Sequence, residues 1–327
     1  MIDAAPRSGK LLIDATRPFA QEQRARSWFH VLTTFAALFA AIGLAAFAPF
    51  WPLRIVGMAL ESLTLVRVFI LFHDFAHGAL LRGSPLASAI FRLEGLLLLT
   101  PLRVWAETHN FHHANTARLA SRPTGTYVLW SVDRWRSASW AGRLLYRAER
   151  HPLTMLFGHV TVFFFGMCVL PFVSNPRKYA SSGLAAVVHV GLCVVVWRAL
   201  GPAVWVCAML VPMFVAFAFG SYLFYAQHNA PGLAMRLDGD WTHADAAVEG
   251  STMLSTSALM HWFTGNIGYH HVHHLNARIP FYRLPEAMAA LPELQRPIVT
   301  SLSPTDVVAC LRLALWDPST GRMVGFV

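Results

Sequence analysis

His270-His271-Val272-His273-His274 places four histidines in five consecutive positions. Two earlier stretches have the same character: His73-Asp74-Phe75-Ala76-His77 and His109-Asn110-Phe111-His112-His113. On a helix, residues i, i+3 and i+4 share a face. His270, His273 and His274 are spaced this way, as are His109, His112 and His113, and His73 and His77 stand four apart. Imidazole is the commonest protein metal ligand. The helical spacing separates these clusters from a tag-like or low-complexity histidine tract. His271 turns about 100° away from His270 on a helix, so it is read as structural.

With His228 in Gln227-His228-Asn229, the candidate ligands number nine: His73, His77, His109, His112, His113, His228, His270, His273 and His274. One metal takes roughly four to six ligands, so nine fit two metals better. An all-imidazole shell is compatible with Fe, Zn, Cu or Ni. His30, His151, His159, His189, His243 and His261 have no cluster partner in sequence and are read as structural.

The rest of the chain says where such a centre would sit. Of 327 residues, 55% are hydrophobic and 13% charged, and mean hydropathy is +0.46. A soluble domain carries about a quarter charged residues, so the shortfall implies an integral membrane protein. The net charge of +9 and pI near 9.9 would raise nucleic-acid binding in a soluble chain. Here the basic residues flank apolar segments, which fits anionic headgroups and membrane orientation instead; no nucleic-acid partner is expected. The four cysteines are scattered without a C-x-x-C pair, as packing residues are. The first 27 residues are polar and mixed in charge, unlike a cleaved signal peptide.

A crossing needs about 20 mostly apolar residues. The first two candidates are residues 28–50 and 53–72, joined at Pro49–Pro52. Arg7, Lys10, Arg17, Arg24 and Arg26 lie in the segment 1–27, which places it in the cytoplasm. The second crossing then returns His73 to that side. Between Asp74 and His151 stand ten arginines (82, 92, 103, 118, 122, 134, 136, 143, 147 and 150) against five acids, which supports the same orientation. Residues 86–102, interrupted by Arg92 and Glu94, read as an interfacial or short buried helix.

Three more apolar stretches follow: 153–173, 184–200 and 202–225. If all three crossed, the 270–274 run would face away from the first two clusters. An even number is needed, so 153–173 is expected to be interfacial or re-entrant, and Gly201-Pro202 to turn a hairpin of the other two. Glu61 lies inside the second crossing, where an acid marks a functional candidate or a partner for Arg198. Beyond His228 the chain turns polar, with Asp238, Asp240, Asp245 and Glu249. Residues 252–269 read as an interfacial amphipathic stretch and the last 45 or so as a helical cap. The expectation is an all-α integral membrane protein, a single domain over 1–327. It has four transmembrane helices in two hairpins and a cytoplasmic cap holding a di-metal site, in a bacterial plasma membrane.

At this point the residues resemble a known family. H-x-x-x-H, H-x-x-H-H and a second H-x-x-H-H around paired apolar hairpins are similar to the membrane fatty acid desaturase superfamily. His73-Asp74-x-x-His77-Gly78, His109-x-x-His112-His113-x-Asn115-Thr116, Tyr225-x-Gln227-His228, and His273-His274-Leu275 followed by Ile279-Pro280-x-Tyr282 resemble its acyl-lipid Δ12/ω3-type branch. The likeness covers about residues 60–290. It implies a non-haem di-iron centre, two Fe per chain, held by the boxes plus His228. It implies O2-dependent removal of two hydrogens from adjacent methylenes of a fatty acyl lipid, leaving a cis double bond.

The last box begins with His270, not the Gln of front-end desaturases. The chain has no His-Pro-Gly-Gly haem motif, so the resemblance implies an external electron donor, ferredoxin or similar. Three residues rather than four separate the first-box histidines, which tilts the substrate towards acyl-lipid and away from acyl-CoA. The physical logic fits: an unactivated C–H bond needs a strong oxidant, burial keeps water from quenching it, and the protein positions the acyl chain. Ligand imidazoles also need their second nitrogen held; Asp74, Asn110, Asn115, Asn229 and Asn266 are candidates by proximity. Two alternatives stay open. One is a lipid hydroxylase or carotenoid-modifying oxygenase on the same scaffold. The other is a His-rich metal transporter, which would line its spans with ligands.

Overall fold

The computed structural model describes residues 7–119, 127, 129–236 and 239–327; Arg122 and Asp238 lie outside the described residues. They are mostly helical and fall into two compact units. One comprises 23–107 and 151–222, the other the N-terminal segment to 22, 108–150 and 223–327.

The first unit is built from long apolar helices. Arg24–Phe47 and Trp51–Ala76 pack against each other across a three-residue turn. At 24 and 26 residues and 1.5 Å per residue, each exceeds the ~30 Å hydrocarbon core. Their contact is close because Gly57 has no side chain: a Cβ there would lie 2.4 Å from the backbone nitrogen of Ala45. Arg54 closes the turn by donating to the Ala48 carbonyl at 2.8 Å. Deeper in, buried Arg67 donates to Thr34 on the neighbouring helix at 2.9 Å. Glu61 is buried, whereas Arg198 is exposed, so the two do not pair.

Pro85–Leu97 and Leu102–Ala114 meet at 91°. Pro101 disfavours helix in the residue before it, and Leu99 takes a left-handed φ of 56°. The stretch His159–Ser174 is helical, with wide π-type winding over His159–Val169, and is shorter than a crossing requires. Ala180–Gln227 is helical over 48 residues but broken at Gly201, whose φ of 83° and ψ of 168° suit only glycine. Ala180–Trp205 packs on Pro85–Leu97 and Arg24–Phe47, and Val206–Leu210 on Arg24–Phe47 and Trp51–Ala76. Among the described residues, Arg24–Phe47, Trp51–Ala76 and Ala180–Gln227 are long and apolar enough to cross a membrane; the bent pair makes a fourth candidate.

His159 and His189, expected to be solitary, meet in this unit at 3.0 Å between their Nε2 atoms. His189 Nδ1 donates to the Leu97 carbonyl at 2.9 Å. The Nε2 proton of the pair therefore belongs to His159.

The chain is mostly helical, as expected, but the second unit adds five short strands among the described residues. Trp130–Ser131 pairs parallel with Leu315–Asp317, which pairs antiparallel with Arg322–Val324. Thr252–Ser255 pairs parallel with Ile298–Ser301, Thr252 opposite Ile298. The last 45 or so residues are therefore a mixture of short helices and strands, not a helical cap. Residues 252–269 also differ from one amphipathic stretch. Thr252 and Leu254 are buried while Ser255 is exposed, the alternation of a strand. The helix Ala258–Phe263 then starts on a Ser257 side-chain cap. It stops at Gly265 and Asn266, both at positive φ. A small core of Val132, Trp135, Tyr146, Ala314 and Leu315 joins the Trp130–Ser131 strand and its following helices to the C-terminal strands.

Candidate metal centre

In the second unit the histidines converge through three short elements. His109, His112 and His113 occupy the end of the Leu102–Ala114 helix, His228 follows the Val211–Gln227 helix, and the last box is itself the buried helix His270–Leu275. Helical spacing brings His109 and His113 together at 3.1 Å between Nε2 atoms, and His270 and His274 at 3.0 Å. Long-range packing adds the rest. His228 Nε2 lies 3.0 Å from that of His112 and 2.9 Å from that of His270, and His273 Nε2 lies 3.1 Å from that of His113. The result is a four-imidazole group, His112, His228, His270 and His274, beside a second group containing His109, His113 and His273.

Hydrogen bonds fix which nitrogen is bare. His228 Nδ1 donates to the Gly250 carbonyl at 3.1 Å, so its Nε2 carries a lone pair. The Thr116 hydroxyl donates to the His112 carbonyl at 2.8 Å. Its oxygen therefore accepts from His274 Nδ1 at 3.1 Å, and His274 Nε2 is bare as well. Burial pushes the His228 imidazole down to about 4 and, with the surrounding imidazoles, holds His274 well below its ordinary range. Both stay neutral near pH 7, the form that binds metal. Imidazole nitrogens sit about 2.0–2.1 Å from a bound transition metal. Two such bonds at a right angle separate the nitrogens by about 3.0 Å; tetrahedral bonds separate them by about 3.4 Å. The observed 2.9–3.1 Å spacings are within the span that two bonds to one ion would cover.

In the first unit, His73 ends the Trp51–Ala76 helix and His77 follows it, their rings 4.6 Å apart. The Asp74 carboxylate accepts from His73 Nδ1 at 3.0 Å. Trp105 packs edge-on to both rings at 5.2 and 5.9 Å.

The asparagines proposed to hold ligand nitrogens are bonded elsewhere or exposed. Asn110 is exposed, and Asn115 donates to the Phe111 carbonyl at 2.9 Å. Asn266 donates to the Phe281 carbonyl at 3.2 Å, and Asn229 to the carbonyls of Cys310 and Leu313. The roles expected for them fall to Thr116 and the Gly250 carbonyl. Thr116 had a readable signal, standing four residues beyond His112 within the box motif; Gly250 had none. His271 faces away from the group and bonds the Leu294 carbonyl at 3.1 Å through Nε2.

The fatty acid desaturase family model matches residues 49–302, a range that includes all nine candidate histidines. The chain belongs to the fatty acid desaturase family. A fatty acid desaturase of Bacillus subtilis is 30% identical over 97% of this chain and 90% of its own. An sn-1 oleoyl-lipid 12-desaturase of Synechocystis is 24% identical over 84% of this chain and 78% of its own. A chloroplastic omega-6 fatty acid desaturase of Glycine max is 21% identical over 82% and 63%. This desaturase is therefore a membrane enzyme of lipid metabolism, with histidine groups suited to iron.

Proposed function

We propose that this desaturase introduces a cis double bond into a lipid-linked fatty acyl chain. The centre would hold two irons on His73, His77, His109, His112, His113, His228, His270, His273 and His274. His112, His228, His270 and His274 would hold one iron. The observation that carries the reading is the convergence of imidazoles whose Nε2 atoms stand 2.9–3.1 Å apart, with the Nε2 atoms of His228 and His274 left unprotonated by the bonds their Nδ1 atoms make.

The overall reaction balances as R–CH2–CH2–R′ plus O2, two electrons and two protons, giving R–CH=CH–R′ and two water molecules. Iron bound here would supply the O2 activation that an unactivated methylene demands. The chain's own residues do the rest. Asp74, Thr116 and the Gly250 carbonyl hold ligand rings in the tautomer that presents Nε2. Burial of the ligands excludes bulk water, which protects a strong oxidant from side reactions. Electrons come from a separate protein such as ferredoxin. Lipid-linked substrate is favoured by the box spacing and by relatives named for oleoyl-lipid.

For topology we propose crossings at about 28–50, 53–72, 184–200 and 202–225, with 153–173 in the membrane plane. The break at Gly201 divides the 48-residue stretch into two arms, each near the ~20 residues a crossing needs. The N-terminus and all histidine boxes then share the cytoplasmic face of a bacterial plasma membrane. The test is gas chromatography–mass spectrometry of fatty acids from a host expressing the full chain. We expect new unsaturated acyl products that disappear with His109→Ala or His273→Ala. A product heavier by one oxygen, or unsaturation unaffected by either substitution, would overturn the proposal.

A further inference from the structure

We infer that Arg150 is a positioning residue for His228, and through it for the four-imidazole group. The inference rests on His228 being a ligand. Arg150 follows the Trp140–Glu149 helix and is 4% exposed. Its Nη2 donates to the Tyr225 hydroxyl at 3.1 Å, to Asn229 Oδ1, and to the Leu313 carbonyl at 3.3 Å. The guanidinium also lies over the Tyr225 ring at 5.0 Å and the Tyr146 ring at 5.7 Å. Tyr225 in turn donates to the Leu313 carbonyl at 2.9 Å. The Asn229 amide donates to the carbonyls of Cys310 at 2.7 Å and Leu313 at 3.0 Å.

Those carbonyls lie at the end of the Pro304–Arg312 helix, where the last carbonyls lack their full set of intrahelical partners and a cation is favourable. Arg150 thus ties three segments distant in sequence, and two of its partners flank His228. Tyr225 and Asn229 are four apart and share a face. The His228 ring leaves on another, with its Nδ1 on Gly250 and its Nε2 between His112 and His270. Fixing Tyr225 and Asn229 on either side of His228 holds the backbone from which its ring leaves. Arg150 reaches His228 through Tyr225 and Asn229, so its effect is on where Nε2 points.

The decisive experiment is anaerobic Fe(II) titration of the full, metal-depleted chain in detergent. It compares wild type, Arg150→Gln, Arg150→Lys, His228→Ala and the double variant, with Arg147→Gln as an exposed control on the same helix. Thermal unfolding of each metal-free protein is recorded alongside. Losing a partner outside the ligand shell typically costs 10–100-fold in metal affinity. We expect Arg150→Gln to weaken one of two Fe(II) ions by about tenfold or more and to leave the other unchanged. Arg150→Lys, which keeps the charge without the fork, should fall between. Adding Arg150→Gln to His228→Ala should cause no further loss. Wild-type affinity for both ions in folded Arg150→Gln, or weakening of both ions equally, would overturn the inference. Should Arg150→Gln fail to fold, Arg150→Lys decides by the same criterion. If His228→Ala itself binds Fe(II) like wild type, the ligand assignment has failed; if His228→Ala loses an ion and Arg150→Gln does not, only the positioning role has.

Discussion

Thr116→Val tests whether tautomer control builds the centre. Valine nearly matches threonine in shape, so the change removes one acceptor and one donor with little change in volume. In the native protein the Thr116 oxygen takes the His274 Nδ1 proton at 3.1 Å and its hydroxyl serves the His112 carbonyl at 2.8 Å. After substitution His274 has two choices. It can keep its proton on Nδ1, buried without a partner, at a cost of about 1–3 kcal/mol. It can instead move the proton to Nε2, which closes that atom to metal. Metal binding bears the cost to the extent that the metal-free protein escapes it by the second route, a loss of up to roughly 5- to 150-fold in affinity at 1.4 kcal/mol per tenfold. The assay is Fe(II) titration of the metal-depleted protein, with the apo melting temperature as a control for folding. Thr116→Ser, which restores the hydroxyl, should recover most of the affinity. Wild-type affinity in a folded Thr116→Val protein would refute the reasoning.

Two further outcomes follow from packing. Gly57→Ala places a Cβ 2.4 Å from the Ala45 backbone and forces the two helices apart; overpacking of this kind costs about 1–3 kcal/mol. A clear fall in melting temperature in detergent is expected, with an unchanged melt as the contrary result. His271→Ala removes a fully buried ring and its bond to the Leu294 carbonyl. It should destabilise the protein by about 2–4 kcal/mol while Fe(II) stoichiometry stays the same. Loss of an ion from a protein of unchanged stability would show that His271 is a ligand.

What could be read from the sequence is what local geometry encodes. The i, i+4 spacing alone predicts that His109 and His113, or His270 and His274, share a face, and helical phase turns His271 away from them. Gly201-Pro202 marked the break in the long helix because only glycine tolerates that backbone. What was not legible depends on contacts between distant segments. The pairing of His159 with His189 spans 30 residues, and no local period signals it. Thr116 serves a histidine 158 positions away. The strands escaped because they are two to four residues long, too short to display a period of two against helical surroundings. Asn229, placed next to His228 by sequence, was assigned to the ligand itself; its amide instead anchors the end of a helix, and its influence on His228 passes through the backbone.

The most direct test of the central claim is metal quantification on purified enzyme that is active on lipid. Two irons per chain are expected, falling to one with His270→Ala while the protein remains folded. A single tightly bound zinc per chain in the active enzyme would contradict the account.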